Sequence, residues 1–87
     1  MNYLLIRHKV ADFESWKSGY DAHLVARQQA GLTEKHLLRN IEDRNEVLLL
    51  FEVANLDAAK RFAESSDLRV AMQKGGVIDQ PNFYLLS

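Results

Sequence analysis

Short apolar runs recur along the chain and alternate with longer segments of helical spacing, which predicts a mixed α and β domain. Four runs have the length of strands and are bounded by turn residues. They lie at residues 2–10, 32–40, 47–53 and 82–86. The third run, VLLLFEV, is apolar on both faces until Glu52, so we expect it to lie in the middle of the sheet.

Helices are predicted between the strands from their capping residues and from the spacing of their apolar side chains. Asp12 can cap the first helix, which we expect to run without a break to Ala30, with Gly31 in the position that favours a left-handed residue. Asn55 can cap a second helix, LDAAKRFAES. A third short helix, DLRVAMQK, begins at Ser66 and ends at a glycine pair.

The predicted order of elements is β-α-β-β-α-(α)-β, which is the split βαβ arrangement of ferredoxin-like folds. This α+β fold has a four-stranded antiparallel sheet with the helices on one face. Because Leu48 and Leu50 point away from Val47, Leu49 and Phe51, neither face of the third strand suits water. We therefore expect a second copy to cover the other sheet face, giving a homodimer through the sheet faces.

Length and composition indicate one domain over residues 1–87. The chain is 47% hydrophobic and 26% charged, and its net charge of −1 gives no long-range attraction to nucleic acid or to an anionic membrane. No segment approaches the roughly 20 apolar residues of a membrane span. The absence of cysteine excludes disulfides and thiolate sites. We expect a cytoplasmic protein that binds neither nucleic acid nor membrane.

The first helix carries polar and aromatic groups on the face that should pack against the domain. A count of about 100° per residue from the Asp12 cap places six side chains on one arc. They are Phe13, Trp16, Tyr20, His23, Leu24 and Arg27. Burial of an imidazole, a guanidinium and two aromatic rings with polar tips costs free energy unless each finds a partner, a cavity or a ligand. This face is the candidate site.

The first strand can add a second histidine to this face. Val10 lies two residues before the Asp12 cap, where an apolar residue tends to fold back over the start of the helix. If Val10 faces the helices, strand alternation places His8 on the same side. The predicted pocket would use the rings as walls, Arg27 for charge and a histidine for proton transfer to a small aromatic or anionic ligand. Its ligand-binding residues are His8, Trp16, Tyr20, His23 and Arg27.

The alternative is that the same residues form a packed structural network. The histidines would then be satisfied core residues, the aromatic rings would only fill the core, and Arg27 would pair with Glu34 or Glu52. A cavity of about 300 Å³ or more, lined by His8, Trp16 and Arg27, would favour ligand binding, and solid packing would favour the alternative.

No metal site or other cofactor is predicted. His8, His23 and His36 share no i, i+3 or i, i+4 spacing, and no acidic partner lies at a motif distance. A sheet of this fold that binds nucleic acid would carry exposed aromatic and basic residues, and the strongly apolar third strand argues against one.

Several motifs cover nearly the whole chain. The longest is R-H-x-V-x-D-[FY]-x-x-W-K-x-x-[FY]-D-x-H-x-x-x-R-x-x-x-G, which spans residues 7–31. It is followed by E-D-x-N-E-V at 42–47, S-x-x-L-R-x-A-M at 65–72 and G-V-x-x-x-P at 76–81. Together they resemble small bacterial dimeric α/β-barrel proteins related to the antibiotic-biosynthesis-monooxygenase superfamily.

The resemblance implies a ferredoxin-like fold, a homodimer that forms an α/β barrel, and ligands in a cleft between sheet and helices. Some relatives oxidise phenolic or quinone-like substrates without a metal or flavin. The resemblance therefore implies a small-molecule-binding protein, as a cofactor-independent monooxygenase or isomerase acting on an aromatic or polyketide-like substrate. The alternative is a non-catalytic binding or assembly protein of the same fold. The resemblance assigns no catalytic residue.

Overall fold

The computed structural model describes residues 1–87, and its strands and helices follow the predicted order apart from one break in the first helix. No helix has the length and apolar character needed to cross a membrane. In chain order the elements are β1 (Asn2–Lys9), α1 (Phe13–Ala22), α2 (Leu24–Gln29), β2 (Leu32–Arg39), β3 (Glu46–Val53), α3 (Leu56–Glu64), α4 (Ser66–Lys74) and β4 (Asn82–Leu86).

The four strands form one antiparallel sheet in the order β2-β3-β1-β4. The predicted ferredoxin-like α+β fold is confirmed, as is the central position of β3. The register runs from Asn2 opposite Val53 to Lys9 opposite Glu46 along β1 and β3. One irregularity, between Glu34 and His36, shifts the register of the edge strand β2.

The core lies between the sheet and the helices. From β3 it takes Val47, Leu49, Phe51 and Val53, and from β1 it takes Leu4, Ile6 and His8, followed by Val10 just after the strand. Val10 is fully buried, so the predicted alternation of β1 is confirmed and His8 does face the helices.

The predicted helix caps are present. The Asp12 and Asn55 side chains accept hydrogen bonds from backbone amides in the first turns of α1 and α3. Gly31, with φ of +76°, follows α2 in the expected left-handed conformation, and Gly76, with φ of +84°, follows α4.

The prediction of an unbroken first helix from Asp12 to Ala30 is wrong at His23, where α1 ends and α2 begins. The Tyr20 carbonyl accepts a hydrogen bond from the His23 amide at 3.1 Å and another from Nη1 of Arg27 at 2.7 Å. The Arg27 side chain thus satisfies a carbonyl that a continuous helix would bond to a backbone amide four residues later. A side chain seven residues away supports this break, so no local breaker residue signals it.

The sheet face away from the helices, here called the open face, is covered by no part of the chain. It presents Leu5 from β1, Leu48 and Leu50 from β3, and the more exposed Leu38, Tyr84 and Leu86 from the edge strands. The predicted apolar character of both faces of β3 is confirmed. At one end of the open face, Arg7 and Lys9 replace the apolar side chains.

Candidate functional site

A cavity of about 50 Å³ lies between the helix-facing side of the sheet and the helices. All five residues proposed as ligand contacts line it, and their assignment as ligand-binding residues stays a prediction. They are His8, Trp16, Tyr20, His23 and Arg27. The sheet contributes Ile6, Leu49 and Phe51 to the floor. The cavity is therefore enclosed by the predicted face of the first helix and by β1 and β3.

Trp16 forms the central wall of the cavity. Its indole is 4% exposed and stacks on the Tyr20 ring, with 4.8 Å between ring centroids. His8 meets the same indole edge-on, with a centroid distance of 5.4 Å. Trp16 and Tyr20 are four residues apart, so α1 itself places the two rings on one face.

His8 is the most deeply buried ionisable residue of the site, with 1% of its surface exposed. Its Nδ1 atom is buried and has no hydrogen-bond partner in the chain. Burial lowers the pKa of His8, and this effect outweighs the attraction of the Asp79 carboxylate, which acts in the opposite direction. The imidazole is therefore neutral near pH 7.

Arg27 is 6% exposed and has no carboxylate within ion-pairing distance. Besides the Tyr20 carbonyl, it contacts the Tyr20 ring, with its guanidinium carbon 3.7 Å from the ring centroid. The alternative in which Arg27 pairs with Glu34 or Glu52 is wrong. Glu34 instead accepts a hydrogen bond from the Tyr20 hydroxyl at 2.5 Å, and Glu52 pairs with Lys35 at 3.1 Å.

Tyr20 and His23 complete the side of the cavity formed by the first helix. Burial raises the pKa of the Tyr20 hydroxyl, and its hydrogen bond to Glu34 raises it further, so the phenol remains protonated. His23 is half-buried at the helix break, with its ring 6.1 Å from that of Phe62 in α3. The two histidines of the site thus have different environments, one fully enclosed and one partly open to water.

The far wall of the cavity comes from the second half of the chain and was not predicted. It consists of Phe62 in α3, and Leu68, Ala71, Met72 and Gly75 in or after α4. Sequence periodicity shows which face of α3 is apolar but does not show that α4 packs against α1. Gly75 lies close to the Trp16 indole in the structure, since a Cβ built there would be 3.4 Å from Cδ1 of Trp16, but this contact leaves no sign in the sequence.

A second concavity, a groove of about 620 Å³, lies between α4 and the segment that leads into β4. None of the residues that line it has a buried polar side-chain atom without a partner, whereas His8, which lines the smaller cavity, has the only such atom in the chain. No group of three or more His, Cys, Asp or Glu side chains is arranged to hold a metal ion. The cavity beneath α1 is therefore the candidate site.

No protein-family model and no curated protein matches this sequence. Solved structures do match it. A protein from Bordetella bronchiseptica, provisionally named an antibiotic biosynthesis monooxygenase, has a TM-score of 0.78 at 15% identity, over 99% of this chain and 94% of that one. A second provisional antibiotic biosynthesis monooxygenase, from Caulobacter crescentus, has a TM-score of 0.70 at 18% identity, over 98% and 86% of the two chains.

A third similar structure is SnoaB from Streptomyces nogalater, described as a cofactor-independent oxygenase. It has a TM-score of 0.74 at 14% identity and covers 99% of this chain and 90% of its own. The chain has the fold of the antibiotic biosynthesis monooxygenases. The resemblance seen in the motifs is confirmed at the level of the fold by TM-scores of 0.70–0.78, and identities of 14–18% leave the reaction open.

Proposed function

We propose that this protein is a homodimeric small-molecule-binding protein whose ligand site is the cavity beneath α1. Its activity is that of a cofactor-independent monooxygenase or isomerase acting on an aromatic or polyketide-like substrate. The observation that carries the proposal is Arg27, a nearly buried guanidinium with no carboxylate partner.

An arginine side chain does not lose its proton, so its charge must be compensated by other means. One backbone carbonyl and one aromatic ring contribute to this compensation, but neither supplies an opposite charge. Nε and Nη2 of Arg27 have no hydrogen-bond partner in the chain and are available to an anionic oxygen. Trp16 and Tyr20 provide flat apolar surfaces beside this charge, which suits an aromatic anion.

The reaction class is supported by the shared fold with SnoaB, which is described as a cofactor-independent oxygenase. A cofactor-free reaction relies on side chains that bind, orient and exchange protons with the substrate. This cavity contains such groups in a neutral histidine and an arginine, and most of the residues around them are aromatic or aliphatic.

The volume of the cavity favours the second candidate, a non-catalytic binding or assembly protein. About 50 Å³ is well below the roughly 300 Å³ of a small-molecule site, and it accommodates only part of an aromatic ligand. For the enzymatic proposal, Met72 or Phe62 must therefore move when a ligand enters. Met72 is suited to this because its unbranched side chain adapts readily to a changed neighbour.

The proposed homodimer forms through the open face. Leu38, Tyr84 and Leu86 are 56%, 50% and 43% exposed there, and they surround the partly buried leucines of the two central strands. A continuous apolar surface of this kind is typical of an interface. Light scattering should give about twice the 10.0 kDa mass of the chain, and a stable monomer would contradict this part of the proposal.

A thermal-shift screen of aromatic acids and quinones tests the binding function, with isothermal titration of the compounds that raise the melting temperature. Arg27→Met should abolish binding of anionic compounds. Arg39→Met is the matched control, because Arg39 also stacks on an aromatic ring, 3.8 Å from the Phe13 centroid, but does not line the cavity. Equal loss in both variants, or a screen without a single stabilising compound, would contradict the proposal.

A further inference from the structure

We infer that the ligand site continues from the cavity beneath α1, past the side chain of Met72, into the groove between α4 and the segment that leads into β4, and that the ligand is an aromatic anion whose ring carries an apolar chain. The inference rests on the proposed function, since it requires the ring of a small molecule in the cavity. It adds to that function a second subsite and the part of the ligand that fills it.

The cavity and the groove share one wall, which is a single face of α4. Leu68 and Met72 are the two residues that line both concavities, and they are four residues apart, so the helix places them side by side. Leu68 is 7% exposed and Met72 is half-buried. These two side chains therefore stand between about 50 Å³ on the side of Trp16 and about 620 Å³ on the side of Ile78.

The groove supplies the volume that the cavity lacks. The cavity is well below the roughly 300 Å³ of a small-molecule site, whereas the cavity and the groove together exceed it. Met72 has an unbranched side chain with three rotatable bonds, so it can turn aside without movement of the helix backbone. A ligand that displaces this side chain thus joins the two concavities into one site.

The backbone on both sides of the groove is held by hydrogen bonds. On the side of α4, the Met72 carbonyl accepts a hydrogen bond from the Val77 amide at 3.0 Å. On the other side, the Ile78 amide donates to the Lys9 carbonyl at 2.9 Å, and the Lys9 amide donates to Asp79 at 2.8 Å. The groove therefore keeps its shape when the side chain of Met72 moves, and a preformed subsite costs a ligand less ordering of the protein.

Apolar side chains line both walls of the groove. Ile78 is the most accessible of them, because 64% of its surface is exposed. A hydrocarbon chain that covers this surface would remove it from water, which favours binding. The remaining apolar residues of the groove, apart from the two shared with the cavity, are Ala63, Val77, Pro81 and Phe83.

The polar groups of the groove need no partner from a ligand. The Ser65 hydroxyl donates to a backbone carbonyl at 2.7 Å, and the Asp79 carboxylate accepts from an arginine at 2.8 Å. A polar group buried in the groove would therefore meet side chains that already have partners, which makes its desolvation unfavourable. The other polar residues are exposed and remain in contact with water, namely Arg69, Gln73 and Gln80.

The first test uses the three isoleucines of the chain, because each lies in a different place. Ile6 lines the cavity, Ile78 lines the groove, and Ile41 lies between β2 and β3 and lines neither. In protein with ¹³C-labelled isoleucine δ-methyl groups, bound 4-hexylbenzoate should show nuclear Overhauser effects from its ring to Ile6 and from its terminal methyl to Ile78. Ile41 should show none.

The same spectra can include the two methionines of the chain, labelled at their ε-methyl groups. The Met72 signal should shift when 4-hexylbenzoate binds, because the chain displaces that side chain. Met1, which is 82% exposed at the start of the chain, is the internal control and should not shift.

The second test measures affinities for benzoate, 4-butylbenzoate and 4-hexylbenzoate by isothermal titration. Affinity should rise by up to about fourfold for each methylene that enters the groove. Ile78→Ser should lower the ratio of the hexylbenzoate affinity to the benzoate affinity by at least the roughly fourfold effect of one methylene. Ile41→Ser is the matched control, with the same substitution at a residue that is 88% exposed, and should keep the wild-type ratio.

A terminal methyl that contacts neither Ile78 nor Met72, or an unchanged affinity ratio in Ile78→Ser, would overturn the inference. The proposed function would still stand if the ring contacts Ile6. Contacts to Ile78 without contacts to Ile6 would place the probe in the groove alone and overturn both. If no benzoate binds while other compounds of the thermal-shift screen do, the inferred ligand class is wrong, and if nothing binds, the proposed function fails as well.

Discussion

Two arginines of this chain, Arg7 and Arg27, have opposite surroundings. Arg7 lies on the open face, where Nε donates to Glu46 at 2.7 Å and Nη1 donates to Asp79 at 2.8 Å, so that both carboxylates form ion pairs with its guanidinium. Arg27 lies on the helix-facing side, is more deeply buried, and donates to one backbone carbonyl. The less buried arginine thus has two carboxylate partners, and the more buried arginine has none.

The difference separates an arginine whose charged partners all lie within the chain from one that has no charged partner there. The Arg7 network is closed, because Asp79 also accepts from the Lys9 amide at 2.8 Å and Glu46 also accepts from Asn40 at 2.7 Å. It joins β1 to the β2–β3 hairpin and to the segment before β4, and it needs no external partner. The charge of Arg27 has no counterpart in the chain, and the proposed ligand site rests on that difference.

The two regions also differ in how protons affect them. Burial opposes ionisation of Asp79, but the Lys9 amide and Arg7 outweigh it and lower the pKa of Asp79. Hydrogen bonds from Asn40 and Arg7 lower the pKa of Glu46. In the cavity, burial lowers the pKa of His8. Both regions therefore lose stability in acid. The cavity loses it when His8 becomes protonated, and the Arg7 network loses it at lower pH, when Asp79 and Glu46 become protonated.

The largest difference between the two regions is expected for Trp16→Ala. The indole is buried against three rings, so its removal should lower the free energy of unfolding by about 3–5 kcal/mol. Asn82→Ala in the Arg7 network removes one long hydrogen bond of 3.3 Å and should cost about 0.5 kcal/mol or less. Urea unfolding measures both. Similar losses of unfolding free energy in the two variants would contradict the expected contribution of the Trp16 indole to packing of the cavity wall.

A second comparison exchanges each arginine for methionine. Arg7→Met leaves two carboxylates without their main partner and should destabilise the fold clearly. Arg27→Met removes one bond to a carbonyl but also an uncompensated charge, so the free energy of unfolding should stay within about 1 kcal/mol of wild type. Urea unfolding at low and high salt measures the free energy of unfolding of both variants and shows which of them loses more. A greater loss in Arg27→Met than in Arg7→Met would make Arg27 a structural residue.

A third prediction separates the regions by pH. In the folded state the pKa values of His8, Asp79 and Glu46 are all lowered, so the unfolded chain binds protons more readily. Stability from His8 should be present above about pH 6.5, and stability from the carboxylates above about pH 4, and each should be lost as the pH falls through the folded pKa.

Urea unfolding between about pH 3 and 8 tests this, with ordinary side-chain pKa values as the reference for the unfolded chain. His8→Phe should remove the loss in the upper range and leave the lower one unchanged. Asp79→Asn should reduce only the loss in the lower range. If His8→Phe retains the full pH dependence of wild type, another group titrates in the upper range.

The smallest expected effect concerns Gly19, which lies in α1 at the edge of the cavity. A Cβ there meets no heavy atom within 4 Å, so Gly19→Ala should raise the free energy of unfolding by about 0.5–1 kcal/mol through helix propensity. The same variant should weaken ligand binding by narrowing the cavity. Gly31→Ala is the control and should destabilise, because Gly31 has φ of +76° and Ala54 Cβ lies 3.3 Å away. Destabilisation in both variants would contradict the open space at Gly19.

The strands and caps were predictable because their causes lie within a few residues. Alternation along β1 placed His8 with Val10, and helical spacing placed Trp16, Tyr20 and Arg27 on one face. These two local patterns converge on one cavity because the split βαβ order packs the first helix over the first strand. The break at His23 was not predictable, since it depends on a side chain bonded to a carbonyl seven residues earlier.

The sequence by itself determined the ferredoxin-like order of elements, the apolar character of both sheet faces and the chemical groups beneath the first helix. It could do so because secondary-structure period and side-chain chemistry are local properties. The tertiary structure decided what each polar group contacts. Packing of α3 and α4 against α1 sets the cavity at about 50 Å³, leaves Nδ1 of His8 unpaired, and gives the carboxylate of Glu34 to Tyr20 instead of Arg27. These outcomes depend on distances between residues far apart in the chain, which no local pattern encodes.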